Sequence, residues 1–350
     1  MVERYYNEYI EQFLNKEYMQ YCRRNRKMPE KLSERDSTAL HFVRVIAIWS
    51  SVAAHVSIID NSTPLILFTT CMWDLFSCIS VPAFLIVGGI LYTRTPGDSC
   101  FFWKRKIKSV VIPWLFCGTM IYVYRALHVG GSFRELLFWL LGLSSWLYYV
   151  TIYLVILALF KPIHKCVPLL WGCVAITTIQ LILKTNGGGV PSPLGDDYLN
   201  PLHWIGFFAL GILVRRQGMR LRRGFFVLCA AVFAVATVIT FRSGILYYFH
   251  IYNTIFTVSS FFVLFAIGRW IAGTRLQRHI REIGMYTYCI YLLHMPIALP
   301  VLRRIPSATF KAIFGPVIAT VLMVVLIKIG LWIANKLPFG DKLKMLVGLR

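Results

Sequence analysis

Long apolar runs separated by short polar connectors dominate the chain. Runs of about eighteen apolar residues or more are long enough to cross a bilayer as helices. They predict spans at roughly 39–58, 65–92, 109–127, 142–160, 167–183, 199–214, 224–241, 249–272, 283–302 and 313–335. The sixth run is short, and 133–141 reads as an interfacial segment ahead of the fourth. The expected fold is all-α, a polytopic transmembrane helical bundle of about ten spans. Three parts follow: a cytoplasmic amphipathic segment at 1–38, a membrane domain at 39–335 and a basic cytoplasmic tail at 336–350. In the first part, Tyr6, Tyr9, Ile10, Phe13 and Leu14 recur at helical spacing, followed by Arg23, Arg24, Arg26 and Lys27. This pattern predicts a short helix on the membrane surface that also permits a homo-oligomer. The first 38 residues have no hydrophobic core of the signal-peptide kind.

Charge orients the bundle. The chain has 37 Lys and Arg against 15 Asp and Glu, a net charge of +22. With the N-terminus inside, 28 of these cations fall in the tails and inner connections and 7 at the outer side. Positive charge retained on the cytoplasmic face accounts for that asymmetry. It removes the need for a nucleic-acid partner; membrane lipids are the expected surroundings. The nine cysteines show no metal-binding spacing, nor do the histidines, so no metal is expected.

The first span, Leu40–Ile58, contains Arg44 and His55. Ionisable groups inside a span are costly and are usually retained for function. Eleven steps at about 100° return a helix to within ~20° of its starting face, so both side chains point one way. The separation is about 16 Å along the axis, with Arg44 near the inner side and His55 near the outer. Asp74, in the second span, is expected at a depth similar to His55, where a carboxylate would fix the imidazole tautomer. The alternative is a structural hydrogen bond. Lys104, Arg105 and Lys108 sit at the cytoplasmic entrance of the third span, as phosphate binders or as topology anchors. Gly88 and Gly89 permit close approach of a ligand or of a neighbouring helix. Outside, the Gly- and Pro-rich loop from Thr185 to Leu199 carries Asp196 and Asp197 and suits either an acceptor site or a plain connector. His203 with Trp204 opens the sixth span. His294, in the ninth, reads first as a structural histidine.

Several runs together resemble acyltransferase family 3, the integral membrane acyltransferases that O-acetylate bacterial surface glycans. The resemblance covers about 38–335. It rests on Arg44 and His55 with ten residues between; on Val81–Gly89; on the basic stretch through Pro113; on Trp146 through Tyr153 and Leu154 to Pro162; and on Gly284–His294. Gly88 stands where the family usually has Ser, and Ser144 where a His often precedes the Trp run.

The resemblance implies an O-acyltransferase of the bacterial cytoplasmic membrane, with acetyl-CoA as acyl donor and a surface glycan or lipid-linked sugar as acceptor. Lys104, Arg105 and Lys108 would meet the donor phosphates, with Gly88 and Gly89 beside the donor. Arg44 would hold the donor or order its channel. His55 would act as general base or carry the acyl group, with Asp74 beside it. Trp146, Tyr148, His203 and Asp196 would contact substrate. The rival from another class is a transporter or flippase of a lipid-linked saccharide using Arg44, Asp74 and His55 as pathway residues. A third reading is a non-catalytic membrane scaffold.

Overall fold

The computed structural model describes residues 32–56, 63–92, 99–219, 222–243 and 248–349. Every regular element among them is helical. The amphipathic helix expected within the first part of the chain lies outside the described residues.

The elements run α1 (Glu34–Val56), α2 (Pro64–Ser77), α3 (Ser80–Tyr92), α4 (Ser99–Lys106), α5 (Ile112–Val129), α6 (Phe133–Leu141) and α7 (Tyr148–Ile163). They continue with α8 (Val167–Thr185), α9 (Ile205–Arg216), α10 (Arg223–Ser243), α11 (Ile251–Ile271), α12 (Leu276–Arg303), α13 (Ala308–Ala334) and α14 (Gly340–Leu346). Among the described residues, eight stretches are long and apolar enough to cross a membrane; the two at Pro64–Tyr92 and Phe102–Val129 each run through a break between helices. Tyr148–Ile163 and Ile205–Arg216 are shorter and stand where the fourth and sixth spans were expected. The chain is therefore a multi-pass helical membrane protein.

Helix α1 is the axis of the bundle. It packs against α2, α3, α11, α12 and α13. Ala39, Val43, Ala47, Ile48, Val52 and Ala53 are fully buried along it. Small and β-branched side chains suit this position, because neighbouring helices approach closely only where side chains are short. Glu34 and Asp36 in its first turn favour the helix N-terminus. They also pair with Arg281 at 3.4 Å and Arg269 at 3.4 Å, tying α1 to α12 and α11.

Two local breaks shape the interior. The α2–α3 stretch interrupts at Cys78 and Ile79, just before Pro82. Before α5 the helix widens into a π turn over Ile107–Val111. Pro113 follows directly; it lacks an N–H and its ring crowds the carbonyl four residues back, so a wider turn relieves the clash.

The tightest crossing joins α3 to α9. A Cβ added to Gly89 would meet Phe208 O at 2.1 Å, and one added to Gly211 would meet Ile86 O at 2.1 Å. At the C-terminus, α14 folds back onto α5 and α13. The Cys117 thiol contacts Leu346 O at 3.7 Å, and Leu349 is buried in the core. The expected basic tail is thus packed into the bundle over these residues.

Replacing Gly89 with Ala is expected to lower stability by about 1–3 kcal/mol, because neither backbone at the crossing can move aside. Gly330→Ala, with nothing within 4 Å of its new methyl, is the control and should melt with the wild type. The thermal midpoint of the detergent-solubilised protein reads both.

Candidate functional site

The site is built where α1 and α12 run side by side in parallel. From the N-terminal end of the pair, Gln277 donates to Glu34 at 2.7 Å. Gly284 follows, where an added Cβ would strike the His41 ring at 2.5 Å. Next Arg44 Nη2 donates to Thr287 Oγ1 at 2.8 Å. Furthest along, the His55 and His294 rings lie 5.2 Å apart at 36°. The shared face expected of Arg44 and His55 is therefore the face turned to α12.

His294 is 1% exposed. Its Nδ1 faces two carbonyl oxygens of its own helix, Tyr291 O at 2.8 Å and Ile290 O at 3.2 Å. Carbonyls only accept, so Nδ1 carries the proton and the neutral ring presents Nε2 as a bare acceptor. That Nε2 makes no hydrogen bond among the described residues. Beside it, Trp146 is 8% exposed, with its ring 6.1 Å from that of His294. The Trp146 indole N–H is likewise without a partner. Its backbone is held firmly, since Tyr291 OH donates to Trp146 O. Buried polar groups are nearly always hydrogen-bonded. Here one donor and one acceptor without partners converge beside the half-buried His55.

An aromatic line leads from this cluster toward the basic end of α4. The Tyr291 ring lies 6.2 Å from His294 and 5.5 Å from Tyr149. Tyr149 stacks on Tyr153 at 5.9 Å and 24°. Tyr153 OH accepts from Lys106 Nζ at 2.7 Å, and the ammonium also lies 5.1 Å from that ring's centre.

The other residues singled out from sequence divide clearly. Lys104, Arg105 and Lys108 are exposed. Within the basic cluster it is Lys106 that turns into the bundle. Asp74 is not at His55. Trp49 and Ser50 define the α1 face toward α2: the Trp49 ring lies 5.8 Å from Trp73, and Ser50 donates to Phe76 O at 2.6 Å. His55 is five residues beyond Ser50, about 140° around the helix. It points at α12, so matching depth did not bring the carboxylate and imidazole together. Gly89 does not open space for a ligand, because the α9 backbone fills it; Gly88 faces the rings of Phe208 and Tyr153.

At the Thr185–Leu199 loop, His203 is fully buried and spent on structure. It donates from Nδ1 to Asp197 O at 2.9 Å and accepts at Nε2 from the Gln180 amide at 3.2 Å. The same amide group binds Val190 through both its donor and its acceptor. His203 therefore pins the loop and presents no free nitrogen to a substrate. This also explains how irregular backbone can precede the short α9: its polar groups are satisfied inside the protein. Asp196 Oδ1 accepts from Tyr198 N at 2.8 Å, and Asp197 pairs with Lys184 at 2.7 Å. The Tyr148 ring lies 4.9 Å from Tyr198, so Tyr148 and Asp196 share one half-buried patch while His203 lies behind it.

Three members of the cluster, Tyr149, Tyr153 and His294, lie in runs that carry the family resemblance but show no spacing that marks a site. Tyr149 and Tyr153 are spaced by one helical turn, a pattern that ordinary core aromatics share. His294 stands alone on an apolar face, and only its neighbour across the helix interface marks it.

Residues 37–335 match the family model of an acyltransferase domain, that of acyltransferase family 3. No curated protein and no solved structure matches the chain.

Because His203 joins the loop to α8, His203→Ala is expected to destabilise the protein by about 1–3 kcal/mol, leaving the Gln180 amide and a buried carbonyl short of a partner. Thermal melts of the purified variant check this. Donor binding by the surviving folded fraction should be unchanged, and a loss there would return His203 to the substrate site.

Proposed function

The chain belongs to acyltransferase family 3, and we propose that this membrane acyltransferase moves an acetyl group from cytoplasmic acetyl-CoA to a hydroxyl of a surface glycan or lipid-linked sugar at the outer face. The cytoplasmic membrane of a bacterium is its proposed location. One observation carries the reading: the half-buried line from Lys106 through Tyr153 and Tyr149 to the buried Tyr291 and the His55–His294 pair. A phosphate-rich donor made inside and an acceptor held outside need such a route.

In this reading Lys104, Arg105 and Lys108 draw the donor phosphates to the mouth, and Lys106 takes the innermost one. Cationic side chains bind phosphate through charge-assisted hydrogen bonds. The pantetheine arm follows the tyrosines past Arg44, whose bond to Thr287 keeps its charge at the channel wall. The thioester carbonyl comes to rest at the Trp146 indole N–H. A donor aimed where negative charge develops stabilises the tetrahedral intermediate. His55 takes the proton of the acceptor hydroxyl as its oxygen bonds to the carbonyl carbon. The C–S bond then breaks, and the departing thiolate takes up that proton. The sugar lies against Tyr148 and Asp196 at the outer patch.

Purified protein is expected to bind acetyl-CoA, and cells lacking the gene are expected to lose acetyl esters from surface glycans or glycolipids by mass spectrometry. Failure of both would sink the reading. His55→Ala should reduce transfer by about a hundred- to ten-thousandfold while retaining donor binding, the usual contribution of a general base. Trp146→Phe should reduce it by about a hundred- to a thousandfold. Lys106→Met acts earlier, weakening acetyl-CoA binding by about 1.5–3 kcal/mol, measured by calorimetry.

A further inference from the structure

The two histidines differ in what their surroundings allow. His294 is buried, and its Nδ1–H is committed to Tyr291 O and Ile290 O. Its Nε2 is an acceptor with no partner among the described residues. His55 sits at the end of α1, half-buried, with no hydrogen bond to its ring among the described contacts. A histidine free to choose its tautomer is a poor base half the time, because either nitrogen can carry the proton. The separation of the rings is 5.2 Å between centres. The second side-chain torsion of histidine is broad, so turning the His55 ring brings two nitrogens within hydrogen-bond reach, about 3 Å.

We propose that His294 is the positioning residue of a His55–His294 dyad, in which His55 donates its N–H to His294 Nε2 and so presents its other nitrogen, unprotonated, to the acceptor hydroxyl. The direction follows from the bonding. His294 can only accept on that edge, so His55 must donate. The base nitrogen of His55 is then the one facing away from α12, on its more open side. When His55 takes the hydroxyl proton, the imidazolium keeps its bond to Nε2, and a buried acceptor stabilises it. This is the service a carboxylate gives a catalytic histidine in hydrolase triads, supplied here by a neutral ring. It occupies the place that Asp74 leaves empty, and a neutral partner avoids burying a carboxylate within the bundle.

Other ring nitrogens without partners do not form such a group. His41 Nδ1 lies against Gly284, further down the helix pair. Trp49 Nε1 lies on the α2 face of α1, between Trp73 and Phe76. Among the described residues, an acceptor of settled tautomer and an uncommitted imidazole meet only at His55.

The dyad rests on the acyl-transfer reading above, and the test separates the two. Membranes of cells that contain the acceptor are given radiolabelled acetyl-CoA, and incorporation is followed for wild type, His294→Leu and His294→Gln. Calorimetry on each purified protein gives acetyl-CoA affinity, and thermal melts report folding. His294→Leu fills the space without an acceptor; it should bind acetyl-CoA within about threefold of wild type and transfer about a hundredfold more slowly or worse. His294→Gln can offer its amide oxygen toward His55 and should recover at least about tenfold of that loss. The effect should fall on kcat rather than KM, since the dyad acts after the donor is bound. If wild type binds and transfers while His294→Leu keeps its rate within threefold, the dyad is wrong and the acyltransferase reading stands. Equal loss in Leu and Gln variants with unchanged folding also overturns it. If wild type neither binds nor transfers, the acyl-transfer reading itself fails, and the dyad with it.

Discussion

Everything at the centre of this protein depends on how closely α1 lies along α12. The interface has room for no side chain at Gly284, where His41 occupies the space a Cβ would take. With the helices in that contact, Arg44 reaches Thr287 and His55 reaches the level of His294. Both are parallel-running elements with their acidic and basic ends matched, Glu34 against Gln277 and Arg281. Such polar ties inside a membrane protein set register more than they add stability, because hydrophobic burial does not distinguish helix from lipid. A shift of one residue along α12 would turn each partner by about 100° and separate the histidines.

The surrounding helices hold that pair in place and shape what reaches it. The Gly89–Gly211 crossing locks α3 to α9, and α3 also contacts α1. On the other side Tyr291 grips the Trp146 backbone and so sets the turn before α7 against α12. From that turn α7 carries Tyr149 and Tyr153 in line toward Lys106. The C-terminal residues close the inner part of the same region: an added Cβ at Gly348 would meet the Tyr288 ring at 2.6 Å. The residues along the proposed route therefore come from α1, α4, α7 and α12, elements distant in sequence.

Two of the buried polar groups without partners among the described residues, His294 Nε2 and Trp146 Nε1, lie where the chemistry is proposed; His41 Nδ1 and Trp49 Nε1 lie elsewhere along α1. The Thr185–Leu199 loop is held differently: His203 bonds the Gln180 amide and Asp197 O, Asn200 Oδ1 accepts from Leu202 N, and Asp196 Oδ1 accepts from Tyr198 N. At His294 and Trp146 the protein leaves an acceptor and a donor open. An open buried group costs stability that a substrate can recover on binding.

Much of this was legible in the chain. Apolar runs of membrane length determined a multi-pass helical bundle, since each span must satisfy its own backbone. The Arg44–His55 spacing determined that both project from one face, because helical periodicity is local. What those residues meet was not legible. Asp74 has a suitable chemistry and a suitable depth, yet azimuth around α1 directs His55 elsewhere. The same holds for Gly89, where a helix and a ligand would require the same small residue, and for His203, whose partners lie across the outer loop. Lys106 differs from its basic neighbours only in which way it faces, and the π turn before Pro113 helps decide that. Periodicity states which residues share a face; only the packed bundle states what that face touches, because contacts between spans depend on register and rotation that no single span encodes.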